Sequence, residues 1–141
     1  MSVSGAFDAG AAPGITTPRS VAPVATYYVA LGKNPVGAEE LRGDDRTPEG
    51  VYRIEARNAR SDFHLSLRAP DPSTADVVRS RRLGVDPGGD IMIHDLPPRF
   101  SSVGAQHRAY DWTNGGIAVT DKEIEEIFAA VSEGAVIHIR A

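Results

Sequence analysis

Cysteine does not occur among the 141 residues. That single absence excludes disulfides, thiolate metal sites and a cysteine nucleophile. It assigns no compartment, since a cysteine-free chain folds in any of them. No stretch approaches the ~20 consecutive apolar residues of a membrane-spanning helix. A basic surplus is lacking too. The formal net charge is −4, whereas nucleic-acid binding needs a clustered basic face. Arg79, Arg81 and Arg82 sit together, but Asp76 and Asp86 lie close by, so a solvated helix end is the expectation there. Met1 to Gly14 has no basic leading region, and Gly, Asp and Pro interrupt its apolar residues. No signal peptide is visible. The histidines show no His-x-x-x-His spacing. A metal site built from His64, His94 and His107 is therefore not expected, and no cofactor is implied.

What is present suits one globular domain with a real core: 41% hydrophobic and 24% charged residues. Residues 1–26 are rich in Ala, Gly, Pro, Ser and Thr. They read as a poorly patterned segment with at most one poor strand near Val21–Val24. Residues 27–141 form the patterned domain. The run from Thr26 to Leu31 is dense in β-formers and closed by Gly32, so a strand is expected. A loop follows from Lys33 to Gly43. Thr47-Pro48-Glu49-Gly50 is a turn, because proline presets its own φ and glycine tolerates positive φ. Val51–Glu55 is the next expected strand. Phe63–Arg68 alternates apolar and polar, with Phe63, Leu65 and Leu67 inward. A short helix is expected over Ser73–Leu83, capped by Ser73 and ended by Gly84.

Asp90–His94 is an apolar strand, and Leu96–Tyr110 reads as a long irregular segment, a length that usually carries a function. Thr120 with Glu123 forms a capping box. Ile124, Ile127, Phe128 and Val131 then make one apolar stripe, which predicts an amphipathic helix near 121–131, ended by Gly134. Ala135–Ile139 is the last strand. Strands outnumber helices, so the fold class is mostly β with one or two short helices.

His94 ends its strand on the face shared by Asp90 and Met92. A histidine there either bonds structurally to a loop or serves as a base. Asp111-Trp112-Thr113-Asn114-Gly115-Gly116 then supplies a tight turn. Its two glycines permit crowded backbone, and its N–H groups can converge on an oxyanion. A Gly-Gly hairpin would look the same. Trp112 anchors the turn by buried area. This is the layout of an acyl-transfer site, with glycine where a nucleophile is needed. Ser101, Ser102, Thr113 and Thr120 are poor substitutes. Thr120 is explained as a helix cap and Thr113 as a turn residue. His107 and His64 can face substrate or simply be structurally bonded.

Several blocks together carry a resemblance. They are Leu31-Gly32-Lys33-Asn34-Pro35-Val36-Gly37, Asp45 through Tyr52, Phe63-His64-Leu65-Ser66-Leu67, Pro87 through His94, and Asp111 through Asp121. In this order they resemble an L,D-transpeptidase catalytic domain, from about Tyr27 to the C-terminus. The resemblance implies a β-sandwich or barrel-like fold, a periplasmic or cell-envelope location and peptidoglycan stem peptides as partners. It implies a Cys–His pair that transfers acyl groups between stems. Carried over, His94 is the base, Thr113 the hydroxyl residue, Gly115 the motif glycine and Gly116 the nucleophile position. Asn114, His107 and His64 fall where substrate contacts are expected. The chain departs at Gly116, which removes the covalent step. It departs again at Asp95, which stands at a usual glycine and is expected to raise the pKa of His94 or crowd the pocket. It also departs in residues 1–26, which lack the strands that open such domains. An inactive member of the family is thus implied, or a module that still holds stem peptides without reacting. A separation of about 5–7 Å between the His94 ring and the Gly116 Cα would seat a thiol between them.

Overall fold

The computed structural model describes residues 2–3, 25–36, 43–70, 78, 81–82, 84 and 89–139. The strands in chain order are β1 (Ser2–Val3), β2 (Tyr27–Tyr28), β3 (Gly50–Arg53), β4 (Ala56–Asn58), β5 (Ser66–Ala69), β6 (Ile91–His94), β7 (Ile117–Ala118) and β8 (Val136–Ile139). A 3-10 segment, Pro98–Ala109, lies between β6 and β7. One α-helix, α1 (Asp121–Ala130), precedes β8. The fold is mostly sheet with short helices, as the sequence leads one to expect.

The chain forms three sheets among the described residues: β1–β2, β3–β8, and the four-stranded β4–β5–β6–β7. The β6–β7 pair is parallel, with Ile93 opposite Ile117 and His94 opposite Ala118. Parallel neighbours need a crossover of a dozen or more residues. The stretch after His94 supplies it, through the 3-10 segment and the glycine turn. That return path lays Gly116 alongside Met92 and His94.

Leu67, Ile91, Ile93, Ile117 and Val119 from this sheet meet Ile124, Ile127 and Val131 of the helix region in one buried core. The α1 stripe is thus buried as its spacing predicts, and both halves of the capping box at Thr120 and Glu123 are formed.

Several local expectations are corrected. The strand over 26–31 is regular only at Tyr27–Tyr28 and continues as single bridges, Ala30 to Ala118 and Gly32 to Thr113. Its partners there are β7 at Ala118 and the turn at Thr113 rather than one continuous strand. The strand expected over 63–68 starts only at Ser66, and Ser66 is as buried as Leu67. Both of its faces are covered, so strict alternation fails. β4 was not legible: Arg57 and Asn58 are exposed, and only pairing to β5 defines it. The 96–110 stretch is not irregular but a 3-10 segment, kinked at Gly104 (φ 53°, ψ −139°). The helix ends at Ala130 with Val131 as its extended cap, and Gly134 (φ 87°) serves the following turn instead. Val78, Arg81 and Arg82 are helical, but the rest of the expected 73–83 helix lies outside the described residues, as does Val21–Val24. Ser2–Val3 pairs with Tyr28 and Tyr27, so a piece of the 1–26 segment forms a two-stranded sheet with β2.

Candidate active site

His94 is 5% exposed at the end of β6. Phe63 stacks on its ring at 4.0 Å between centroids and 27° between planes. Trp112 meets the ring edge-on at 5.8 Å. Two aromatic neighbours, each worth about 0.5–1.5 kcal/mol, hold the imidazole in one orientation. Phe63 as a clamp escaped the sequence reading, because it approaches His94 from the neighbouring strand's approach loop.

The His94 Nδ1 lies 2.8 Å from the Asp95 backbone carbonyl. A carbonyl only accepts, so Nδ1 carries the proton and the neutral ring keeps a bare lone pair at Nε2. That nitrogen faces position 116. A Cβ placed on Gly116 stands 3.0 Å from His94 Nε2 and 2.9 Å from the Met92 carbonyl oxygen. The Cα, one bond of about 1.5 Å further back, therefore lies within about 4.5 Å of Nε2. The approach is closer than the separation that would seat a thiol. The Met92 carbonyl and the ring leave a side chain at 116 only tight room.

The turn is fixed from several sides. The Thr113 hydroxyl donates to the Gly116 carbonyl at 2.7 Å, and the Thr47 hydroxyl approaches the same oxygen at 3.4 Å. The Gly32 N–H donates to Thr47 Oγ1 at 3.0 Å. Thr113 exchanges backbone bonds with Leu31 and Lys33. The Leu31 N–H donates to the Asp111 carboxylate at 2.8 Å, and the Lys33 ammonium to Asn114 Oδ1 at 2.6 Å. Gly115 has φ +100°, and a Cβ there would meet the Arg46 carbonyl oxygen at 2.8 Å. Thr113 and Thr120 are thereby occupied as turn and cap residues, since the Thr120 hydroxyl accepts from the Glu123 N–H.

The other expected contacts divide. His107 is buried, and its Nδ1 accepts from the Trp112 indole N–H at 3.3 Å. It joins the His94 environment through Trp112. His64 does not: its ring turns to Glu125 on α1 at 3.1 Å, on a half-exposed surface. Among the described residues no group of three or more His, Cys, Asp or Glu is arranged to hold a metal.

Burial pushes the His94 pKa down, against a smaller upward push from its bond to Asp95. The net shift is downward, and the upward push comes from the Asp95 backbone carbonyl rather than its carboxylate. The Asp95 carboxylate points elsewhere and accepts from the His64 N–H at 2.9 Å. Burial also lowers His107, helped by the charge of Arg108. For Glu123, burial pulls upward, but hydrogen bonds from Arg108 and Thr120 bring the pKa below the usual value.

Two titration effects follow. A histidine with a depressed folded pKa is favoured neutral by folding. Its stabilisation is complete above about pH 6.5 and is lost as pH falls from there through the folded pKa. The unfolding midpoint is expected to drop on acidification below that point, and less so in His94→Gln. A pH series of thermal melts measures this. An equal drop in both chains would contradict it.

Asp95 has the opposite sign. It is fully buried, its Oδ2 has no partner among the described residues, and burial raises its pKa above 3.8. The neutral acid is favoured by folding, so the stabilisation is complete below pH 3.8 and is lost as pH rises through the raised value. Asp95→Asn should therefore gain roughly 1–2 kcal/mol at neutral pH, with the gain vanishing in acid. Denaturant midpoints at the two pH values read it, and a loss at neutral pH would refute it.

The model of the YkuD family, the L,D-transpeptidase catalytic domain, matches residues 18–139. The comparison with curated proteins gave no match. Among solved structures, the chain is similar to the helical cell shape determining protein Pgp2 (K307A mutant) from Campylobacter jejuni. That match has a TM-score of 0.58 and 21% identity over 78% of this chain and 35% of the other. It is similar also to Bd1075 from Bdellovibrio bacteriovorus, with a TM-score of 0.58 and 19% identity over 88% of this chain and 41% of the other. At these identities the two structures speak for the fold alone, and the chain spans well under half of either. With the family model covering 122 of the 141 residues, this chain belongs to the L,D-transpeptidase catalytic domain family.

Proposed function

We propose that this is a peptidoglycan-associated L,D-transpeptidase-type domain of the cell envelope whose own cysteine-dependent acyl transfer is missing. The observation that carries the reading is the bare His94 Nε2, 3.0 Å from the Cβ position of Gly116. In an acyl transfer, a thiol at position 116 would lose its proton to that nitrogen and attack a stem-peptide carbonyl. The leaving amine would then take the proton back. His94 is the proposed base, Gly116 the empty nucleophile position, and Gly115 and Thr113 the shapers of the turn. Asn114 and His107 flank it, and His64 is proposed only as an outer contact. A chain with glycine at 116 and no cysteine anywhere has no thiol to carry the acyl intermediate.

A second reading rests on the turn itself. Its bonds to Leu31, Lys33 and Thr47 persist without a thiol, so the frame that would present stem peptides is retained. Incubation with a tetrapeptide donor and an amine acceptor should yield no cross-linked product. Sedimentation with purified peptidoglycan separates the two readings. Saturable binding supports a holding role, and no binding supports loss of function. Cross-linked product from the unaltered chain would contradict both.

A further inference from the structure

The 3-10 segment, Leu96 and Trp112 line an open cavity of about 990 Å³. This is the size of a small-molecule site. Leu96, Phe100, Val103, Tyr110 and Trp112 wall it, with Arg99 at its edge. Phe100, Val103 and Tyr110 are 45%, 39% and 78% exposed, so its mouth presents apolar surface to water. Covering such surface is favourable by about 25 cal/mol per Å².

The charges at the mouth leave one sign over. Arg108 is held by Glu123. The Asp111 carboxylate is turned inward to the Leu31 N–H. Arg99 is exposed, packs over the Phe100 ring at 4.8 Å and has no carboxylate partner among the described residues. An occupant must therefore be apolar along its length and anionic at one end. A peptide fits less well: besides Arg99 the polar residues of the lining are Gln106, His107 and Arg108, and Arg108 is already held by Glu123, too few partners for a run of amides.

We propose that this cavity binds a free single-chain carboxylate, with the chain against Phe100, Val103 and Trp112 and the head group on Arg99. The cavity shares Trp112 and His107 with the site described above, but no residue of the turn at 113–116 lines it, so dodecanoate binding can fail while the acyl-transfer reading stands.

Trp112 is the only tryptophan of the chain and lines the cavity, so its fluorescence reports occupancy. Dodecanoate, titrated below its micelle concentration, should change that signal saturably. Dodecyltrimethylammonium should bind about tenfold more weakly, and Arg99→Gln should weaken dodecanoate by about the same factor. The thermal midpoint of Arg99→Gln should stay that of the parent, since the side chain is exposed. No saturable response to dodecanoate, equal affinity for the two amphiphiles, or unaltered affinity in Arg99→Gln would each overturn the proposal. So would a stem tetrapeptide that binds more tightly than dodecanoate.

Discussion

Gly116→Cys should turn a chain that is inert to carbapenems into one that gains a full carbapenem mass. The reasoning is geometric. The imidazole already presents a bare Nε2 to position 116, held by Phe63, Trp112 and the Asp95 carbonyl. A sulfur on that carbon lies within reach of the ring. His94 removes the thiol proton, the sulfur attacks the β-lactam carbonyl, the ring C–N bond opens, and the released nitrogen takes the proton. No atoms leave, so the protein mass rises by the whole reagent.

The substitution also has a cost. The new Cβ meets the Met92 carbonyl oxygen at 2.9 Å, and backbone must shift to admit it. Overpacking of this kind costs about 1–3 kcal/mol. The variant should thus be acylated yet melt earlier than the parent, and the double variant His94→Ala with Gly116→Cys should stay unmodified. A folded Gly116→Cys chain that gains no mass would show that the proposed site is misassigned.

Gly32→Ala should be the most damaging single methyl group outside the core. A Cβ on Gly32 would stand 2.1 Å from the Asp45 carbonyl oxygen, with further backbone atoms of Asp45 and Arg46 behind it. No side chain can rotate away, so two backbone segments must part. Parting them breaks the Gly32 N–H bond to Thr47, whose hydroxyl reaches the Gly116 carbonyl, and loosens the bridge to Thr113. A loss of about 3 kcal/mol is expected, or roughly 10 °C in Tm for a domain of this size. The damage should reach the turn, so Trp112 fluorescence should change even in the folded variant. An unaltered melting point would contradict the close approach.

How much of this was legible in the sequence depended on the range of each interaction. The capping box at Thr120 and the apolar stripe of α1 are local patterns, and they appear as read. The strand ending at His94 was legible because Ile91 and Ile93 need burial. The Leu96–Tyr110 stretch was misread because prolines, serines and Gly104 leave it no apolar periodicity, and His107 is the only buried residue of its 3-10 segment. Ala56–Asn58 was invisible because an exposed edge strand with polar residues is defined by its neighbour. The family resemblance pointed to His94 and Gly116 as the proposed site. It could not show how near the Met92 carbonyl and the His94 ring stand to position 116, which is a matter of tenths of an ångström. Nor could it show that Asp95 governs His94 through its carbonyl rather than its carboxylate.

The decisive observation concerns the imidazole in the unaltered chain. Nitrogen-15 spectra of the His94 ring at about pH 7.5 should show a protonated Nδ1 and a bare Nε2, the form a base requires. A proton on Nε2, or a charged ring at that pH, would mean that no base faces Gly116.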